Sequence, residues 1–186
     1  YGARVSDVLV RSSNIDDASV PLSIQGQAEG PTPDFMRFIA TSPLNEPLGE
    51  VTSTLKPQGR GRLALQLSVP LRQPQQTKVT GSYEFAANEL AFSPSDPPLT
   101  QLSGKLDFHE RGVVAKKLTA QFLGGPMQFD LETRPEGGFT IGAQGNANIA
   151  ALRKAYPFPF DEYVDGTAAY TASVQATPES FDLTIE

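Results

Sequence analysis

In Leu63-Ala64-Leu65-Gln66-Leu67-Ser68-Val69-Pro70-Leu71, every odd position carries a large apolar residue. Side chains of an extended chain point alternately to opposite faces, so one face of this segment is apolar and the other is not. The same alternation returns in Val20, Leu22, Ile24; in Val79, Tyr83, Phe85; in Leu102, Leu106, Phe108; in Met127, Phe129, Leu131; and in Phe139, Ile141, Ala143. These are one-sided strands, and a chain made of them must cover or use that side.

Turn signals stand between them: Pro57-Gln58-Gly59, Ala87-Asn88, Pro94 to Pro98, Glu110-Arg111-Gly112, Gly124-Gly125-Pro126 and Pro135 to Gly138. Connections this short favour antiparallel neighbours, because a parallel crossover needs a dozen or more residues. The pattern therefore predicts a mainly β chain, an antiparallel meander. Two short helices interrupt it. Thr32 to Ala40 has Thr32 at the N-cap position, Pro33 opening the helix, and Phe35, Phe38 and Ile39 on one face, with Pro43 beyond. The second runs from Asn148 through Ile149, Leu152 and Tyr156 to Pro157.

Internal similarity adds a larger order. Ile24-Gln25-Gly26-Gln27-Ala28 and Ala143-Gln144-Gly145-Asn146-Ala147 share a pattern whose glycines lie 119 residues apart, and each precedes a short helix ended by Pro. Strand-like stretches follow both helices, 48–55 and 166–174. Residues 1–135 read as a first unit and 136–186 as the start of a second. A shorter echo, Gly81-Ser82-Tyr83-Glu84-Phe85 against Gly104-Lys105-Leu106-Asp107-Phe108, reads as a hairpin repeated after 23 residues. Tyr1 falls inside a strand-like stretch and Glu186 directly follows one, so the sequence reads as a segment of a longer chain whose export signal and membrane anchor lie elsewhere.

Composition narrows function. A net charge of −6 with scattered Lys and Arg disfavours nucleic acid and anionic headgroups as partners. The absence of Cys rules out disulfides, thiolate metal sites and a Cys nucleophile. No apolar run reaches the roughly 18 residues of a membrane-spanning helix. The lone His109 sits beside a turn without metal-ligating companions, Asp16-Asp17 and Asp161-Glu162 read as polar loops, and no nucleophile elbow, zinc helix or dinucleotide fingerprint occurs. The expectation is a non-enzymatic chain with no cofactor or metal. Its apolar faces have two open fates: a closed β-sandwich core, with partner recognition on loops such as 157–165, or an open surface for acyl chains.

Gly2-Ala3-Arg4-Val5 with Asp16-Asp17-Ala18, Gly30-Pro31 with Asp34-Phe35-Met36-Arg37-Phe38-Ile39 and Ser42-Pro43-Leu44, Gly59-Arg60-Gly61-Arg62-Leu63-Ala64-Leu65, Val69-Pro70-Leu71 and Gly81-Ser82-Tyr83-Glu84-Phe85 together resemble the middle of the YhdP-type AsmA-like proteins. The resemblance covers most of the chain and lies in the order of its motifs. It implies a curved, groove-like repetitive sheet, periplasmic and belonging to an inner-membrane-anchored protein, implicated in phospholipid transport between the inner and outer membranes and in outer-membrane integrity. Phospholipid acyl chains and the remainder of the same long chain are the implied partners. The groove candidates are then the alternating residues Leu63, Leu65, Leu67 and Val69; Val79, Tyr83 and Phe85; Leu102, Leu106 and Phe108; and Phe129 and Leu131.

Overall fold

A computed structural model describes residues 2–12, 20–40, 55–93, 96–134, 136–157, 164–177 and 179–186. Ten strands form one sheet in chain order: β1 (Arg4–Arg11), β2 (Leu22–Pro31), β3 (Lys56–Val69), β4 (Lys78–Ala91), β5 (Leu99–His109), β6 (Gly112–Phe122), β7 (Gly125–Thr133), β8 (Phe139–Asn148), β9 (Thr167–Ala176) and β10 (Phe181–Ile185). Every neighbouring pair is antiparallel. The sheet is open, with β1 and β10 as its edges. This is the expected meander; a sandwich would have needed a second sheet facing the first.

Helix α1 (Thr32–Ala40) lies in the β2–β3 connection and α2 (Ile149–Ala155) in the β8–β9 connection. Asn148 caps α2, its Oδ1 accepting the Ala151 N–H at 3.2 Å, which satisfies one of the donors a helix N-terminus leaves open. The expected features at Asp16-Asp17, Pro43, residues 48–54 and Asp161-Glu162 lie outside the described residues.

Two expected turns are not turns. Pro57-Gln58-Gly59 is part of β3, and Ala87-Asn88 lies inside β4, so the first copy of the expected repeated hairpin is one long strand. The second copy is a true hairpin, β5–β6, closed by Glu110-Arg111. What Ala87 marks is a bulge: Phe85 pairs with Gly104, but the next partnered residue is Asn88, opposite Leu102.

The same device recurs. Asp7, Ala87, Gln101 and Lys117 adopt left-handed φ of 52°, 52°, 53° and 57°, and each falls at a register shift. An extra residue on one strand of a pair bends that strand and increases its twist. It also reverses the alternation, so inward-facing positions step by three across each bulge: Val5 to Val8, Phe85 to the buried Asn88, Leu99 to Leu102, Ala115 to Leu118. Two bulges are pinned from the neighbouring strand, where Ser103 Oγ accepts the Ala87 N–H at 3.1 Å and Asp130 Oδ1 accepts the Lys117 N–H at 2.6 Å.

The sheet curls. On a flat sheet β3 and β8, five strands apart, would lie about 24 Å from each other, yet Leu63 and Phe139 line one cavity. The core sits on this inner face, where Leu90, Leu99, Leu102, Ala115, Leu118, Ala120 and Phe129 form one buried cluster and Val79, Phe108 and Val113 a second. The outer face carries paired charge, with Glu84 opposite both Arg62 and Lys105 and Lys116 Nζ 3.5 Å from Glu132.

Candidate functional site

The inner face gathers the residues that alternation singled out. Cross-strand partners share a face, and Leu63 pairs with Tyr83, Tyr83 with Leu106, Leu106 with Ala115 and Ala115 with Leu131. Nine of the twelve candidates, Leu63, Leu65, Tyr83, Phe85, Leu102, Leu106, Phe108, Phe129 and Leu131, border a cavity of about 150 Å³ that runs from β3 to β8. Val79 is buried and Leu67 packs against its cluster. Val69 stands at the end of β3 beside Leu22, away from the cavity.

Not all nine are open surface. Leu102 is only 1% exposed and acts as floor, as do Tyr83, Phe108 and Phe129. The exposed apolar positions lie nearer the sheet edges: Val5 and Val8 on β1, and Phe181, Leu183 and Ile185 on β10. Leu183 opposite Val174, itself opposite Ile141, places the β10 residues on the same inner face. Simple alternation passes over Val8, Leu118 and Ala120 because the bulges at Asp7 and Lys117 change its phase. A polar residue in a run of alternating apolar ones, as at Lys117, is the signal that marks such a site.

Helix α1 lies on the inner face against β2 and β3. Phe35, 7% exposed, meets the Tyr83 ring edge-on with centroids 5.3 Å apart, and Tyr83 meets Phe85 likewise at 4.9 Å. Such contacts add to the stabilisation from burial alone. Of the expected apolar face of α1, Phe38 is 45% exposed and stands at the rim. A second cavity of about 300 Å³ lies on the other side of the helix, bordered by Val5, Val8, Ile24, Ala28, Phe35 and Phe38 among others.

Buried polar groups fix the helix. The Thr32 hydroxyl, assigned by sequence to capping, lies 2.8 Å from Tyr83 OH and accepts from Asn88 Nδ2 at 2.5 Å. All three residues are buried, so each hydrogen bond is strengthened by the lack of competing water. Burial pushes the Tyr83 phenol above its usual pKa, with the Thr32 and Asn88 hydrogen bonds acting the other way. Asn88 Oδ1 is buried with no partner. At the other end of the first turn, Asp34 accepts the Gly2 N–H at 2.5 Å and pairs with Arg37. The Gly2 hydrogen bond chiefly, and Arg37 after it, hold the Asp34 carboxyl below its ordinary value.

His109 Nδ1 accepts the Arg111 N–H at 3.1 Å and thereby closes the β5–β6 turn. Among the described residues no group of three or more His, Asp or Glu is arranged to hold a metal ion, and no helix is long and apolar enough to cross a membrane.

A pair of predominantly apolar cavities, the larger also bordered by Gln25, Gln27 and Asp34, lies on the inner face of a curled meander. A family profile described as YhdP protein matches residues 1–186, the whole chain. The chain belongs to the YhdP family. It is 27% identical over 173 residues to a protein of Escherichia coli (strain K12) named intermembrane phospholipid transporter YhdP, a match covering 89% of this chain and 14% of that relative. The chain thus spans about a seventh of the length of the relative it matches. No solved structure matches it.

Proposed function

We propose that this chain is a non-enzymatic segment of a longer phospholipid transporter, and that its inner face shields acyl chains in transit through the periplasm between the inner and outer membranes. The observation that carries the reading is the pair of apolar cavities on that face, about 300 and 150 Å³. Membership of a family with a phospholipid transporter among its members supports the choice of ligand. The nine alternating residues that border the cavity form floor and wall, and Val5, Val8, Leu183 and Ile185 continue the apolar surface to both edges. Each CH₂ removed from water is worth about 0.8 kcal/mol, so an acyl chain lying there is stabilised along its length while its headgroup stays wet at the rim. The remainder of the long chain would extend the surface, carry the inner-membrane anchor and link the segment to outer-membrane integrity.

The unit structure follows the same reading. Residues 1–135 form one unit and 136–186 open the next: β8–α2–β9 has the element order of β2–α1–β3, and β2 and β8 show the same burial pattern over nine residues from Leu22 and from Phe139. The test is native mass spectrometry with organic extraction on the chain purified from bacterial cells without detergent. Co-purifying phospholipid is the expected result, and a lipid-free protein that fails to take up added phospholipid would overturn the reading.

A further inference from the structure

Along the strand order, one apolar cavity lies over β1 to β3 and the other over β3 to β8. Helix α1 stands between them. Phe35, Phe38, Leu63 and Leu65 border both spaces, so the two sides are separated by the aromatic face of α1 resting on the leucines of β3. An acyl chain that occupies one side cannot continue to the other along the inner face while this contact holds.

The contact is held in an unusual way. A helix packed as permanent core needs apolar contacts alone, and polar groups buried in such a place cost free energy unless fully satisfied. Here the first residue of α1 is tied to β4 through Thr32, Tyr83 and Asn88, while Asn88 Oδ1 is left without a partner at 0% exposure. Toward the other end of the helix, Phe38 is 45% exposed. The helix is therefore pinned at its start by directional bonds, while farther along it is held by non-directional apolar contact, Ile39 packing against the Val79–Phe108–Val113 cluster and Phe38 standing half-exposed beside it. Apolar contact can slide and re-form where the directional bonds cannot, which is the arrangement of a hinged element.

We propose that α1 is a gate in the acyl-chain path: Phe35 and Phe38 form the constriction, and the Thr32–Tyr83–Asn88 cluster is the hinge that returns the helix to the closed position. The proposal rests on the reading of the inner face as an acyl-chain surface. Passage of a lipid swings the Phe38 end of α1 away from Leu63 and Leu65, joining the two cavities, and the buried hydrogen bonds keep the helix from leaving the sheet. Phe35 and Phe38 then determine which chains pass and how fast.

The chain contains no Cys, so a spin-label pair can be introduced cleanly at Arg37→Cys on α1 and Lys105→Cys on the outer face of β5, two positions whose side chains are 67% and 61% exposed. The distance distribution is measured by pulsed electron resonance with and without phosphatidylethanolamine, and native mass spectrometry on the same samples counts bound lipid. The gate predicts that lipid binding shifts and broadens the distance, and that Phe38→Ala keeps the melting temperature while speeding lipid uptake. Bound lipid with an unchanged distance, or unchanged uptake in Phe38→Ala, would overturn the gate and leave the acyl-chain surface standing. Failure to bind lipid at all would overturn both.

Discussion

Asn88 Nδ2 donates to Thr32 Oγ1 at 2.5 Å, joining residues 56 apart in sequence at a place where both are buried. This bond and the Tyr83 contact beside it tie the start of α1 to the middle of the sheet. Thr32→Val keeps the shape and removes the acceptor, leaving two buried polar groups unpaired. It is expected to lower stability by about 1–3 kcal/mol, read as a fall in the denaturation midpoint, whereas Thr32→Ser should recover most of the loss.

The bulges carry a second expectation. A left-handed conformation costs an L-residue roughly 1–2 kcal/mol, and Lys117 holds one at φ 57°. Lys117→Gly should therefore be neutral or mildly stabilising, while Lys117→Ile, whose branched side chain fits that conformation poorly, should be clearly destabilising. Asp130→Ala should cost about 1 kcal/mol through the lost acceptor for the Lys117 N–H. Equal effects of Gly and Ile in urea titrations would mean that the bulge is not formed.

Gly81 marks a close approach on the inner face. A Cβ there would lie 2.5 Å from the Ala64 carbonyl oxygen and 2.5 Å from Phe108 Cζ. Because Phe108 is packed in its own cluster, Gly81→Ala is expected to cost about 1–3 kcal/mol by overpacking. The double variant Gly81→Ala with Phe108→Leu should recover part of it, since the ring is one of the two obstacles.

Floor and rim separate by substitution. Phe108→Asp buries a charge among apolar neighbours and should unfold the chain. Val8→Glu, at a position 59% exposed, should change stability by no more than about 0.5 kcal/mol and still reduce the phospholipid retained. Retention unaltered in a folded Val8→Glu protein would remove the β1 side from the lipid surface.

The Asp34 carboxyl gives a pH signature. Its folded pKa lies below the ordinary value of 3.8, so its contribution is full above that value and is lost as pH falls through the lower, folded one. Acidification below about pH 4 should release α1 from Gly2 and break the Asp34–Arg37 pair within the helix, seen as faster amide exchange in α1. In Asp34→Asn that acid-dependent step should be absent.

Much of this architecture is legible in the sequence. Alternation marks the Leu63–Val69 part of β3, with β7 and β8, and the face each presents, because those stretches carry no bulge and the phase of Leu63 or Phe129 holds along them, whereas Pro57-Gln58-Gly59 at the start of β3 has the composition of a turn. Asn148 and Pro157 bracketed α2 by local chemistry alone. The path through β4, β5 and β6 was harder to see, since Ala87, Gln101 and Lys117 reverse the phase mid-strand and their conformation is fixed by partners such as Ser103 and Asp130 on other strands. Ala87-Asn88 has the composition of a turn, and only the long-range bond to Thr32 shows why Asn88 is buried within a strand. The dividing position of α1 was equally hidden: its apolar face is written in Phe35 and Phe38, but what that face rests on depends on the curl of the sheet.

The central claim, that acyl chains lie on the inner face, is tested most directly by placing the photoreactive residue p-benzoylphenylalanine at one position at a time and irradiating the chain with phospholipid present. The account predicts lipid adducts at the inner positions Val8 and Leu183 and none at the outer positions Arg62 and Lys105. Adducts spread equally over both faces, or confined to the outer one, would contradict it.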